Sequence, residues 1–214
     1  MSTFLIDSYN PESLEFTKPK KYGDYLVSKI KYPESENKKV LVQFPKMTVT
    51  SDQSSKSIEL EFTNIDRGYN KKVYNWLSKV DHCILEHVHT KSEEWFGKKI
   101  PVEALNTMYN TFIKSPKTTD NNCTINLNFA KGESLLNGKN EPIERSEITK
   151  GSTLECIGQL KYIVFSKDTS FMSWDLHCAK LHKKISRVPK FGFVEDPIDQ
   201  TVDSDEELEI HTFF

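Results

Sequence analysis

The chain has no run of about 18 apolar residues, so no transmembrane helix is expected. It also lacks the short motifs around which common active sites are built. There is no GxxxxGK[ST] phosphate loop, no GxSxG nucleophile elbow and no HExxH, so nothing local announces an enzyme. Arginine is scarce: Arg67, Arg145 and Arg187 are the whole set, few for reading base edges through guanidinium forks. With no helix-turn-helix spacing either, recognition of double-stranded DNA is disfavoured. The cysteines Cys83, Cys123, Cys156 and Cys178 stand far apart with no CxxC, and the opening MSTFLIDSYN lacks a basic region followed by an apolar run. These features predict a reduced, intracellular protein. Asn122-Cys123-Thr124 fits a glycosylation sequon, which carries no weight without a secretory signal. Cys83 and His87 are four apart, on one face of a helix, but a structural zinc site needs four ligands. A buried thiol beside solvated imidazoles is the better reading, so neither metal nor cofactor is expected.

Charge is present in quantity and unevenly placed. The 214 residues carry 29 Lys+Arg against 31 Asp+Glu, which looks neutral. Residues 195–214, however, read EDPIDQTVDSDEELEIHTFF: eight carboxylates, no Lys or Arg, and two terminal rings. Such a segment cannot bury enough apolar surface to offset chain entropy, and it is expected to be a flexible acidic tail. Without it the count is 29 against 23, a body of +6. A basic body attracts polyanions by counterion release, and a tethered acidic segment can occupy the same surface. Asp203, Asp205, Glu206 and Glu207 followed by Phe213 and Phe214 also form a compact docking peptide for a partner's pocket. The plain alternative is a solubilising tail.

The body is large enough for one sizeable domain, expected over residues 23–194, after an irregular N-terminal arm over residues 1–22. Period-2 alternation predicts strands over 24–33, 40–44 and 58–63, with Pro45 confining the second to an edge or bulge. Met47 to Thr50 continues that second strand. The period then becomes helical. Val73, Trp76, Leu77, Val80, Ile84 and Val88 form one stripe on a helix over about 71–88. A second helix is predicted over 102–113, with Pro101 suited to its first turn. Strand patterns return at 124–129, 143–148, 153–165 and 171–178, and Gly158 suggests the kind of bend used at barrel corners. The sum is a β-rich α+β domain. A small, partly open barrel of the oligonucleotide-binding (OB) type with an inserted helix pair fits it, and periodicity alone does not choose that over another sheet.

Aromatic residues stand next to lysines repeatedly: Tyr25-Lys29-Lys31-Tyr32, Phe44-Lys46, Trp95-Phe96-Lys98-Lys99, Lys161-Tyr162, and Trp174 ahead of the basic run 180–190. Single-stranded nucleic acid is held in this way, phosphates by cations and unstacked bases by ring faces. The competing reading makes the rings core and the lysines solvated.

Three segments add a resemblance: Val-Leu-Val-Gln-Phe-Pro-Lys-Met at 40–47, Glu-Trp-Phe-Gly-Lys-Lys at 94–99, and Gly151-Ser152 followed by the strand to Phe165 and then Ser173-Trp174. In this order and spacing they resemble the single-stranded DNA-binding proteins of giant and other nucleocytoplasmic large DNA viruses. That family is similar in turn to phage replicative proteins with an OB barrel and an acidic tail ending in phenylalanine. The resemblance implies a non-enzymatic protein that coats single-stranded DNA in viral replication, recombination or repair. Its tail would recruit replication proteins, polymerase or helicase/primase, and compete with DNA for the groove. Lys46, Lys98, Lys99 and Lys183 would contact phosphate, while Tyr162, Trp174 and Phe44 would stack on bases. Trp95 and Phe96 would either bind or lock the helix pair onto the barrel. A homodimer stays open, no membrane association is implied, and the expected location is host cytoplasm or a viral replication factory, with packaging in the virion also open. Rival readings are a virion component or adaptor with no nucleic-acid activity, and an enzyme assembled from distant residues.

Overall fold

The computed structural model describes residues 5–35, 37–50, 56–62, 65–116 and 122–183. The segment 195–214, with Asp203, Asp205, Glu206, Glu207, Phe213 and Phe214, lies outside them. So does most of the basic run 180–190.

Among the described residues ten strands and two α-helices follow one another. They are β1 (Glu15–Phe16), β2 (Lys20–Tyr22), β3 (Tyr25–Lys31), β4 (Val40–Gln43), β5 (Met47–Val49), β6 (Ser57–Glu61), α1 (Gly68–Phe96), α2 (Val102–Met108), β7 (Tyr109–Asn110), β8 (Thr124–Leu136), β9 (Thr153–Phe165) and β10 (Ser170–Lys183). Five of them close a ring: β9 pairs β5, β5 pairs β6, β6 pairs β8, β8 pairs β10, and β10 returns to β9. Within that ring only β8 and β10 run parallel. Taken in chain order the circuit is first-second-third-fifth-fourth-first, an OB-type barrel.

Alternation builds the barrel. Val42 and Phe44, from β4 and the residue just after it, and Met47, Val49, Ile58 and Leu60, from β5 and β6, point inward and are essentially unexposed. Pro45 lies between β4 and β5, where no ladder donor is required, and the neighbouring Phe44 N–H donates to the Cys156 carbonyl at 2.7 Å. Strands β9 and β10 are long enough to need bulges. Tyr162 faces Ser173 and Leu160 faces Trp174, so Lys161 is an extra residue in β9. In β10 the extra residues are His177 and His182, and the first reverses the inward parity: Met172, Trp174 and Leu176 are buried before it, Ala179 and Leu181 after it. Cys178, expected inward by simple alternation, is therefore only half-buried.

The long α1 packs its predicted stripe against the barrel, with Val73, Leu77, Val80 and Ile84 fully buried. It runs eight residues past the expected Val88 and stops at Gly97, whose φ of 72° is a left-handed cap. Three expectations need correction. The second helix ends at Met108 because Tyr109 and Asn110 join β10 as the short parallel strand β7. Residues 143–148 hold a 3-10 turn, Arg145–Glu147, instead of a strand. The N-terminal segment is not an irregular arm in its described part, since β1 and β2 both pair with β3. It is tied to α1 as well, where Trp76 Nε1 donates to the Tyr9 carbonyl at 2.7 Å.

Candidate nucleic-acid interface

The predicted binding residues do not come together. Phe44 and Trp174 are 0% and 1% exposed, with ring centroids 5.4 Å apart inside the barrel. Trp174 is stacked on Phe112 at 5.2 Å and meets Trp76 edge-on. Neither ring offers a face to solvent, so the expectation that they stack on bases is corrected: aromatic packing has already used them. Lys46 is exposed at the junction of β4 and β5, near where Met47 faces Leu154 on β9. Tyr162 sits eight residues further along β9, about 26 Å away along the strand. Lys98 and Lys99 are exposed just past Gly97 and flank a groove of about 440 Å³ whose apolar wall includes Leu26, Phe96, Leu105 and Phe165. Lys183 closes β10, paired with Thr153, and its side chain lies outside the described residues. Trp95 and Phe96 pack on Phe165, holding the end of α1 to the sheet.

Tyr162 belongs to a different assembly, which the pleat defines. On β3, Ser28 and Ile30 are buried while Lys29 is exposed, so Tyr25, Val27 and Lys29 share the outward face. Lys29 is opposite Tyr162, and Tyr162 is opposite Ser173 on β10. One row over, Lys20 faces Val27, Val27 faces Val164, and Val164 faces Phe171. Beyond the edge, the β2–β3 hairpin sets Tyr22 opposite Tyr25, 78% and 47% exposed. Four strands, β2, β3, β9 and β10, thus carry Tyr22, Tyr25, Tyr162 and Phe171 on one outward surface about 14 Å across, interleaved with Lys20 and Lys29.

The bulge adds a cation. Lys161 reaches Asp175 at 2.7 Å and lies 5.5 Å from the centre of the Tyr162 ring. Its hydrogen bond to Asp175 raises the ammonium pKa above the ordinary lysine value, so the charge is secure. Sequence reading singled out Tyr25, Lys29 and Lys161 as aromatic-lysine neighbours but missed Tyr22 and Phe171. Phe171 was legible as the out-of-phase member of the β10 alternation, opposite in parity to Met172 and Trp174.

His87, expected to be a solvated imidazole, is otherwise engaged. His87 packs between the Phe16 and Trp95 rings, and burial lowers its pKa. Cys156 is buried in the barrel wall, where desolvation pushes its thiol far up. Among the described residues no group of three His, Cys, Asp or Glu gathers in a metal-holding arrangement.

Residues 45–195 match the model of a family of unknown function (DUF5871). No curated protein sequence matches the chain. Among solved structures, gp2.5, a single-stranded DNA binding protein encoded by bacteriophage T7, superposes with a TM-score of 0.50 at 12% identity. That alignment covers 78% of this chain and 100% of gp2.5. A single-stranded DNA-binding protein from bacteriophage Enc34 aligns with a TM-score of 0.46 at 14% identity, over 83% of this chain and 95% of its own. The same protein in complex with ssDNA gives 0.45 at 14% identity, over 80% and 97%. The gp2.5 superposition agrees with the OB-type ring traced from the strand pairings.

Proposed function

The chain belongs to the family of unknown function DUF5871, and we propose that it binds single-stranded DNA on the outward β2–β3–β9–β10 face without doing chemistry on it. The observation that carries this reading is four rings, Tyr22, Tyr25, Tyr162 and Phe171, left on one sheet face among Lys20, Lys29 and Lys161. Rings that serve only to pack belong inside, as Phe44 and Trp174 are. A ring face in water next to ammonium groups suits an unstacked base and its phosphate. The T7 neighbour supports the fold, and its name agrees with this use of it.

In this reading the protein coats single strands during replication, recombination or repair of a viral genome, acting as a cover and not as an enzyme. Segment 195–214 competes with DNA for the basic face and engages a replication partner, a polymerase or helicase/primase, through Phe213 and Phe214. Lys46, Lys98, Lys99 and Lys183 serve as flanking cations that a longer strand reaches beyond the sheet.

Titration of fluorophore-labelled oligo-dT, followed by anisotropy, tests the core of this. Binding is expected at low salt and should weaken steeply as salt rises. Tyr162→Ala should cost roughly 1–3 kcal/mol of affinity, the range for one stacked base. No binding at low salt would refute the reading and leave a virion component or adaptor in its place.

A further inference from the structure

Strand β10 changes partners along one edge, and the exchange leaves a gap. Ser170 and Phe171 pair with Tyr109 and Asn110 on β7, whereas pairing with β8 begins only at Asp175 opposite Asn128. Between them, Met172 to Trp174 have β9 on one side and no strand partner on the other among the described residues. A cavity of about 480 Å³ opens there, within the range of small-molecule sites.

Its walls sort by chemistry. Asn110, Asn126 and Asn128 contribute three carboxamides, each presenting two N–H donors and a carbonyl acceptor. Asn128 Nδ2 donates to Ser173 Oγ at 3.3 Å across the mouth of the gap. The floor is apolar, formed by buried Phe112, Met172 and Trp174. At the rim stand the Phe171 ring, 37% exposed, and the exposed Lys114 ammonium. Among the described residues no carboxylate lines the cavity. Strand β7, which carries Asn110, is fixed from behind: buried Asp81 on α1 accepts from the Tyr109 hydroxyl at 2.6 Å and from the Phe112 backbone N–H.

We infer that this cavity takes one nucleobase of the bound strand and reads its edge through the asparagine carboxamides. The inference rests on the proposed single-strand binding and deepens it. The sheet face ends at Phe171 and Ser173, which are also rim and wall of the cavity, so a strand crossing the face arrives at the opening. Carboxamides in a walled site match the mixed donors and acceptors of a base edge, which the smooth aromatic face cannot distinguish. Lys114 is placed for the phosphate of that nucleotide. The protein would then bind any single strand but prefer some bases at one position.

The test compares oligo-dA, oligo-dC and oligo-dT of equal length on the full chain and on Asn126→Ala combined with Asn128→Ala. The native protein should spread the three affinities by about tenfold, and the variant should compress them to within about twofold while keeping the same salt slope. Equal affinities for the native protein, or a spread that survives in the variant, would overturn the inference while leaving single-strand binding intact. Failure to bind all three would overturn both. If the double variant does not fold, Asn110→Ala at the exposed end of β7 carries the same comparison.

Discussion

Gly158 and Asp81 show how single positions hold the barrel to its shape. A Cβ on Gly158 would lie 2.7 Å from Phe44 Cε2 and 3.2 Å from Trp174 Cε3. Both rings are locked in a packed interior and cannot swing aside. Gly158→Ala is therefore expected to cost about 1–3 kcal/mol, read as a lower urea midpoint. An unchanged midpoint would mean that the ring cluster is slack. Asp81 works through charge. Burial raises its carboxyl from 3.8 to about 6, against the opposing hydrogen bonds from Tyr109 and Phe112. The native state then holds this proton more tightly than the unfolded chain does. The stability it contributes is fully present below about pH 4 and is lost as pH rises through about 6. A shift of that size corresponds to about 3 kcal/mol across the window. Urea unfolding of the native chain and Asp81→Asn from about pH 4 to about pH 7 should show the native curve falling relative to the variant. Parallel curves would show that folding does not shift the Asp81 pKa.

At the scale of elements, period and local chemistry made α1 and the ring strands legible, because one face of each is buried continuously. The stripe from Val73 to Val88 is buried as read. What could not be read were the places where pairing overrides pattern. The bulges at Lys161 and His177 reverse parity without a local signal, since each extra residue is absorbed only because the facing strand is out of step. Residues 109–110 continue a helical stripe in sequence but are taken by β10 as a strand. The site was legible in kind, as aromatics beside lysines, but not in membership, because only the three-dimensional sheet decides whether a ring faces in or out. Phe44 and Tyr162 look alike in sequence and lie on opposite sides of the barrel wall. The β2–β3 hairpin gives the sharpest element-level test. Tyr22→Ser with Tyr25→Ser removes two rings that bury little, so stability should hold while oligo-dT affinity falls at least tenfold, from the loss of up to two stacked bases. Lys20→Ala with Lys29→Ala should flatten the log–log salt slope by about 1.4, at about 0.7 per phosphate contact. Lys98→Ala with Lys99→Ala, around the edge of the sheet, should flatten it less. Equal effects would move the DNA path toward the end of α1.

For the whole molecule, what matters is the separation of charge between body and tail. The body of +6 carries the outward face, and the eight carboxylates follow beyond residue 194. Lys183 ends β10 at the opposite end of that strand from Phe171. Returning along twelve strand positions is about 40 Å. The twelve residues from 184 to 195 can span at most about 40 Å, a length sufficient for the proposed competition of the acidic stretch at the near edge of the face. A tethered competitor acts at an effective concentration on the order of millimolar, which populates even weak contacts. It is also electrostatic, so salt weakens it together with DNA binding. A chain truncated after Val194 should accordingly bind oligo-dT more tightly than the full chain at low salt, and the two should converge as salt rises. A salt-independent gain would point to relief of steric hindrance by the tail, not to competition of charge. Equal affinity at every salt concentration would leave residues 195–214 a solubilising segment.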